Sequence, residues 1–311
     1  MISLTYRRRH HAACLLLALC FLSPATAGER QPVQFGVCFH HGAYGDEYTP
    51  GAAKVLDDLR AAGPFWIRGD YEDPARDAPF VADMARKGIK VLALLPWYSR
   101  DIAGWPALVR KEVQALPAVA AWEIANEPEM SWWGGPIALG DYMTMIRDAH
   151  AIIRSAQPDA RIVAPAVGAT EEGIAYLRKL IDSGLLQYVD AVSVHYYVFH
   201  RSQQLEAVKQ LVAGRKPIWI TETGWTTADQ AGGEEAQSRY VQEYYDPERG
   251  ILGTDPAIEL IFNYQLNDEH YPAPPDKDSG WGLTYGPEGG FGKKAAYYEF
   301  RKLLARDPVT R

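Results

Sequence analysis

Eight short apolar runs recur along the chain, at 35–39, 65–69, 90–95, 120–125, 161–166, 191–196, 217–221 and 258–264. Each has the length of a buried strand, and successive runs start 25 to 41 residues apart. Between them the apolar positions change to a helical period. Leu56 and Leu59 precede the second run, and Phe80, Val81, Met84 and Ala85 lead to Gly88, a stop signal before the third. Tyr142, Ile146, Ala149, Ile152 and Ile153 keep helical spacing and end before Gln157-Pro158. Tyr176, Leu177, Leu180 and Ile181 end at Gly184, and Leu205, Val208, Leu211 and Val212 end at Gly214. A closing helix over 295–304 is apolar along one side. Strand then helix, eight times in a single-domain length, predicts an α/β fold: one (β/α)8 TIM barrel. The rival is an open doubly wound sheet. That fold announces itself with a Gly-rich turn after its first strand, and His40-His41-Gly42-Ala43-Tyr44-Gly45 lacks the spacing. The stretch 271–290, rich in Pro, Gly and Asp, reads as a long loop after the eighth strand.

Ahead of the first strand lies a different pattern. Arg7, Arg8 and Arg9 precede an apolar run over 12–22, and Ala25-Thr26-Ala27 has the small-x-small form of a cleavage site. Residues 1–27 are therefore expected to be a signal peptide and 28–311 the catalytic domain, exported to the periplasm or the cell exterior. The apolar run is shorter than the roughly 20 residues that span a bilayer, and no membrane span is expected elsewhere. Without the leader the chain carries 29 basic and 39 acidic residues, a net charge of −10. An acidic chain of this kind lacks the basic face that nucleic acid requires, so no nucleic-acid partner is expected, and a monomer is. Cys14 and Cys20 leave with the leader, so Cys38 has no partner for an intrachain disulfide.

A barrel of this kind carries its chemistry at the carboxyl ends of the strands, and the polar residues fall there. They are His40 after the first strand, Asp70 after the second, Asn126 and Glu127 after the fourth, His195 and Tyr197 after the sixth, Glu222 at the seventh, and Gln265 and Asn267 after the eighth. Proline donates no N–H and pushes its predecessor toward extended geometry, so Pro128 ends the fourth strand and leaves Glu127 at its mouth. Glu222 ends the seventh strand in the same way before Gly224. Glycosidic bonds are cleaved by two carboxyl groups, one protonated to assist the leaving oxygen and one ionised to attack or stabilise the anomeric carbon. Strands four and seven lie nearly opposite on an eight-stranded ring, so Glu127 and Glu222 can face one another. Two like acids near each other titrate apart, and a bell-shaped pH–rate profile is expected. Glu123 shares strand parity with Glu127 and points into the barrel, where a carboxylate must be paired; Arg68 is the expected partner. Nine Trp and 18 Tyr supply flat rings for sugar faces, with Trp97, Tyr98, Trp105, Trp132, Trp133, Tyr196, Tyr197, Trp225, Trp281 and Tyr285 beside turn signals.

Asn126-Glu127-Pro128 after a Trp-Glu-Ile strand, followed later by Thr221-Glu222-Thr223-Gly224-Trp225, resembles clan A of the glycoside hydrolases, nearest in look to families 39 and 5. The resemblance implies retention of configuration, with Glu127 as acid/base and Glu222 as nucleophile. It implies that Asn126 binds the substrate 2-hydroxyl, that Arg68 steadies the nucleophile, and that His195 lies on the nucleophile side. It places Trp281 as the aromatic floor of the sugar subsite. With His40, Tyr197 and Trp225 at strand ends, these form the expected substrate-binding set. The expected substrate is a polysaccharide or oligosaccharide, a β-glucan or bacterial exopolysaccharide cut internally. No cofactor and no metal are expected. A metal-dependent hydrolase using His40, His41 and His195 would need paired ligands at a spacing such as H-E-x-x-H, which the chain lacks. The other reading is a carbohydrate-binding barrel without turnover, and the presence of both glutamates argues against it.

Overall fold

The computed structural model of the chain describes residues 32–41, 48–71, 73–95, 101–130, 136–197, 202–228, 231–268 and 280–306. The expected leader at 1–27 and the rings Trp97, Tyr98, Trp132 and Trp133 lie outside these. Eight parallel strands close into a barrel in chain order: β1 (Gln34–Cys38), β2 (Trp66–Asp70), β3 (Lys90–Leu95), β4 (Ala121–Ile124), β5 (Arg161–Gly168), β6 (Ala191–His195), β7 (Ile218–Thr223) and β8 (Ile258–Asn263). The ring is shut by β1 against β8, with Gly36 opposite Phe262. Eight helices surround it: α1 (Pro50–Ala62), α2 (Pro74–Arg86), α3 (Trp105–Ala115), α4 (Leu139–Ala156), α5 (Glu171–Asp182), α6 (Ser202–Val212), α7 (Gly233–Tyr245) and α8 (Ala295–Leu304). The closed ring excludes the doubly wound sheet.

Local chemistry explains the boundaries. Pro50 and Pro74 open α1 and α2 at positions where a missing N–H costs nothing. Thr49, Asp73 and Thr170 accept N–H bonds at the starts of α1, α2 and α5. Gly88, Gly184 and Gly214, the predicted stops, all have positive φ.

The strand alternation divides the core in two. One set of side chains packs between sheet and helices. The other fills the barrel: Cys38, Trp66, Leu92, Ala121, Val163, Ala191, Trp219, Leu260 and Phe262. Trp66 and Trp219 meet edge to face at 5.3 Å, near the amino ends of their strands, and plug the bottom. A side chain on Gly36 would collide with the Phe262 ring, which accounts for glycine in a strand interior. With the bottom filled, the polar inward residues Arg68, Glu123, Ser193, His195 and Thr221 are left above.

The described residues after β8 carry local structure. Among them, Thr284 bridges both Asn267 and Lys293, and Pro287–Gly289 forms a 3-10 turn; residues 269–279 lie outside the description.

Candidate active site

Inward parity on β2 and β4 carries Arg68 and Glu123, and a register shift on β7 between Ile220 and Thr223, which takes Glu222 out of the alternation set by Trp219 and Thr221, brings Glu222 to the same level. Arg68, only 1% exposed, spends its guanidinium on three strand-end partners. Nε donates to Glu123 Oε2 at 2.6 Å, Nη1 to Glu222 Oε1 at 2.7 Å, and Nη2 to Asn126 Oδ1 at 2.7 Å. Burial alone would weaken its hold on a proton, but the two carboxylates outweigh that and keep it charged. Both alternatives for Arg68, pairing with Glu123 and contact with Glu222, therefore hold at once. Arg68 lies beneath the site and holds its acids; it is not a surface for sugar. Cys38, buried below, keeps its proton because burial pushes the thiol up.

His195 joins the two acids. Its Nδ1 lies 3.0 Å from Glu127 Oε1 and 3.5 Å from Glu222 Oε2. Those two oxygens are thus separated by no more than the sum, 6.5 Å. The Glu127 and Glu222 side chains are 16% and 12% exposed, while that of His195 is 1% exposed. Burial lowers the proton affinity of His195, but Glu222 and Glu127 more than offset it, so the net shift is upward. Tyr197 Oη donates to Glu222 Oε2 at 2.9 Å. Burial, then the Glu222 charge, hold that phenol well above its usual range, and it remains a donor.

Glu127 owes its position to unusual backbone. Ala125 and Glu127 have φ of 64° and 44°, in the left-handed region that side chains disfavour. The turn is held by Glu127 N–H to Ala166 O at 3.1 Å. It is also held two residues on, where Gly168 N–H donates to Glu129 Oε1 at 2.7 Å.

Rings gather beside Glu222. Tyr197 and Trp281 are 5.4 Å apart, Tyr264 lies 6.4 Å from Tyr197 and 6.3 Å from Trp281, and His40 meets Tyr264 at 5.7 Å. The Trp281 segment is clamped from two helices. Gln237 of α7 donates to the carbonyls of Trp225 and Gly282. Lys294, fully buried, reaches Asp268 at 2.6 Å and Gly280 O at 3.3 Å. His40 Nδ1 pairs with Asp70 Oδ2 at 2.9 Å.

Several expected site residues stand elsewhere. The Trp225 indole lies against Tyr240 and donates to Ala231 O, so it packs on α7 rather than on the ring cluster. Trp105 is buried and bonded to Met145 O, and Tyr196 is buried. His41 is enclosed by Phe39, Phe80 and Tyr48. Two residues that the sequence did not single out stand in or beside the site, Tyr264 and Glu129, and Asp70, read at a strand end, stands there too. The position of Asp70 at a strand end is a signal for it, and Tyr264 closes the eighth apolar run.

Glu129 carries a pH prediction. Burial is the main cause that pushes its carboxyl up to about 7, with Glu127 adding and two backbone N–H groups opposing. An acid whose folded value exceeds its unfolded one binds more protons when folded, so folding stability falls as pH rises between the two. Relative to Glu129→Gln, the wild type is expected to lose up to about 3 kcal/mol between pH ~4.5 and pH ~7. Denaturant unfolding of both proteins across that range measures it.

Comparison with known proteins agrees with this geometry. Residues 124–248 match the model of the glycosyl hydrolase catalytic core. No curated protein matches the chain. Among solved structures, a family 39 β-xylosidase from Caulobacter crescentus is similar, with a TM-score of 0.63 at 15% identity, covering 88% of this chain and 72% of that one. A calcium-binding mutant of Bacteroides uniformis β-glucuronidase 2 gives 0.64 at 14%, over 88% of this chain and 36% of that. An exo-β-1,4-mannosidase from Opitutaceae bacterium strain TAV5 gives 0.62 at 16%, over 88% and 59%. At such identities the likeness is one of fold. The closed barrel and the catalytic-core match over residues 124–248 agree with the resemblance read in the sequence.

Proposed function

We propose that the protein is a retaining β-glycosidase that cuts a polysaccharide internally, with Glu222 as nucleophile and Glu127 as acid/base. The observation that carries this is the shared contact of the two carboxyls with His195 Nδ1 at 3.0 and 3.5 Å. That one oxygen pair, at most 6.5 Å apart, is compatible with the roughly 5–5.5 Å separation at which double displacement works. The surroundings fit the roles. Arg68 and Tyr197 both donate to Glu222, which suits a group that must attack as an anion and later leave as one. Glu127, held 3.0 Å from His195 Nδ1 and partly exposed, sits where it can hand a proton to the leaving oxygen. Asn126 Oδ1 is taken by Arg68, so its amide Nδ2 is the group left to donate to a sugar hydroxyl. The Tyr197, Tyr264 and Trp281 rings offer apolar faces for the sugar ring.

The substrate class, a β-glucan or bacterial exopolysaccharide, and an exported setting in periplasm or exterior belong to the same proposal. They rest on the aromatic residues near strand ends and on the leader read at 1–27. The test is digestion of a panel of β-linked polysaccharides, with NMR of the anomer first released and chain-length analysis of the products. The expected result is a β-anomer formed first and a ladder of oligosaccharides. A first-formed α-anomer overturns the mechanism, and monosaccharide alone overturns internal cutting.

A further inference from the structure

The acid/base turn has a second carboxylate that the reaction just described does not use. Glu129 lies two residues beyond Glu127. Its Oε1 accepts the Gly168 N–H at 2.7 Å, while Oε2 is buried with no hydrogen-bond partner among the described residues. The carboxyl is seated in a niche between the end of β5 and the first turn of α5, and both walls are glycine. A side chain at Gly168 would stand 3.4 Å from Oε1, and one at Gly173 would stand 3.1 Å from it. That end of β5 is itself irregular: the register against β6 shifts between Ala164 and Val167, and Ala166 has positive φ. The Ala166 O accepts the Glu127 N–H. Strand five thus grips the turn at two points, on Glu127 and on Glu129, across a backbone that would not hold its left-handed angles unaided.

We propose that Glu129 is a positioning residue for the acid/base. By docking on Gly168 it fixes the Glu127 turn, and so sets the place of the Glu127 carboxyl against His195 and the leaving oxygen. The inference rests on the reading of Glu127 as acid/base. The buried Oε2 fits it, because the carboxyl is docked through one oxygen, Oε1, on the Gly168 N–H. The titratable groups near this carboxyl are Glu127 on the same turn, His195 of β6, Tyr142 of α4 and Tyr176 of α5. None of them neutralises Glu129 as Arg68 neutralises Glu222.

A displaced general acid penalises poor leaving groups and spares good ones, since only the former need the proton. The test compares kcat/KM on matched 2,4-dinitrophenyl and phenyl β-glycosides (xyloside, glucoside and cellobioside) for wild type, Glu129→Ala, Glu129→Gln and Glu127→Ala. Glu129→Ala is expected to lower the phenyl value by about 10² and the dinitrophenyl value by less than about tenfold. Glu129→Gln, which keeps the acceptor for Gly168, is expected to restore the phenyl value. Glu129→Asp, one methylene shorter, replaces Glu129→Ala if that variant does not fold, and is expected to show the same selectivity. Independently of turnover, the 15N shift of His195 Nδ1 is expected to move in Glu129→Ala and return in Glu129→Gln. Equal losses on both leaving groups with an unmoved His195 signal, while Glu127→Ala is selective, overturn the inference alone. A Glu127→Ala enzyme without leaving-group selectivity overturns the acid/base reading, and this inference with it.

Discussion

Replacing Glu222 with glycine is expected to lower turnover by at least about 10⁴, the scale on which loss of an essential nucleophile acts. Added azide is expected to restore part of it. The expectation follows from position. Glu222 is the only carboxylate among the described residues that takes hydrogen bonds from both Arg68 and Tyr197, and it faces Glu127 across His195. Azide in the space left by the side chain attacks the anomeric carbon from the face that Glu222 uses, and the product is the inverted α-glycosyl azide. In Glu127→Ala the glycosyl–Glu222 ester still forms from an activated substrate. Azide then enters from the opposite face and yields the β-azide. Product NMR distinguishes the two stereochemistries; the same azide from both variants contradicts the assignment of roles.

Arg68→Met is expected to have the largest effect on stability. The guanidinium is buried and neutralises two acids, Glu123 fully buried and Glu222 partly exposed. Removing one partner of a buried ion pair leaves uncompensated charge and costs about 3–5 kcal/mol. For a domain of this size that corresponds to a melting temperature lower by about 6–20 °C. The double change Arg68→Met with Glu123→Gln removes the deeper of the stranded charges and is expected to recover more than half of the stability. Activity is not expected to return, because Glu222 and Asn126 still lack their donor. Thermal melts and turnover of the two variants check both parts. An Arg68→Met protein as stable as wild type shows that the network is not held by this charge.

How much of this is legible in the sequence depends on the residue. Glu127 and Glu222 are legible because each closes an apolar run next to a breaker, Pro128 or Gly224, so position in the chain puts both acids at the barrel mouth, although β4 itself stops at Ile124, before the left-handed Ala125. The pairing of Glu123 with Arg68 is legible from parity and the rule that a buried acid needs a cation. The three-way grip of Arg68 is not, because only closure of the ring brings β2, β4 and β7 to one level. Helices α3 and α7 are hidden for a local reason: each puts a polar residue on its buried face, Glu112 in α3 and Gln237 in α7. Gln237 has a task there, holding the carbonyls around Trp281, and that task breaks the apolar period. Trp225 follows a strand end as a sugar platform would, but a strand end fixes the Cα and not the direction of the ring, and this ring turns to Tyr240. Tyr264 is concealed by lying at the end of an apolar run, where it reads as one more core residue. Glu129 is concealed because its partner is a backbone N–H, contributed by a glycine on another strand.

The most direct measurement of the central claim is covalent trapping. Wild-type protein is incubated with 2,4-dinitrophenyl 2-deoxy-2-fluoro β-glycosides, whose fluorine slows hydrolysis of a glycosyl ester more than its formation, and is then digested for peptide mass spectrometry. A single sugar attached to Glu222 is the predicted result. Attachment to any other residue, or complete turnover of the activated sugar without a trapped ester and with inversion at the anomeric carbon, would contradict the account.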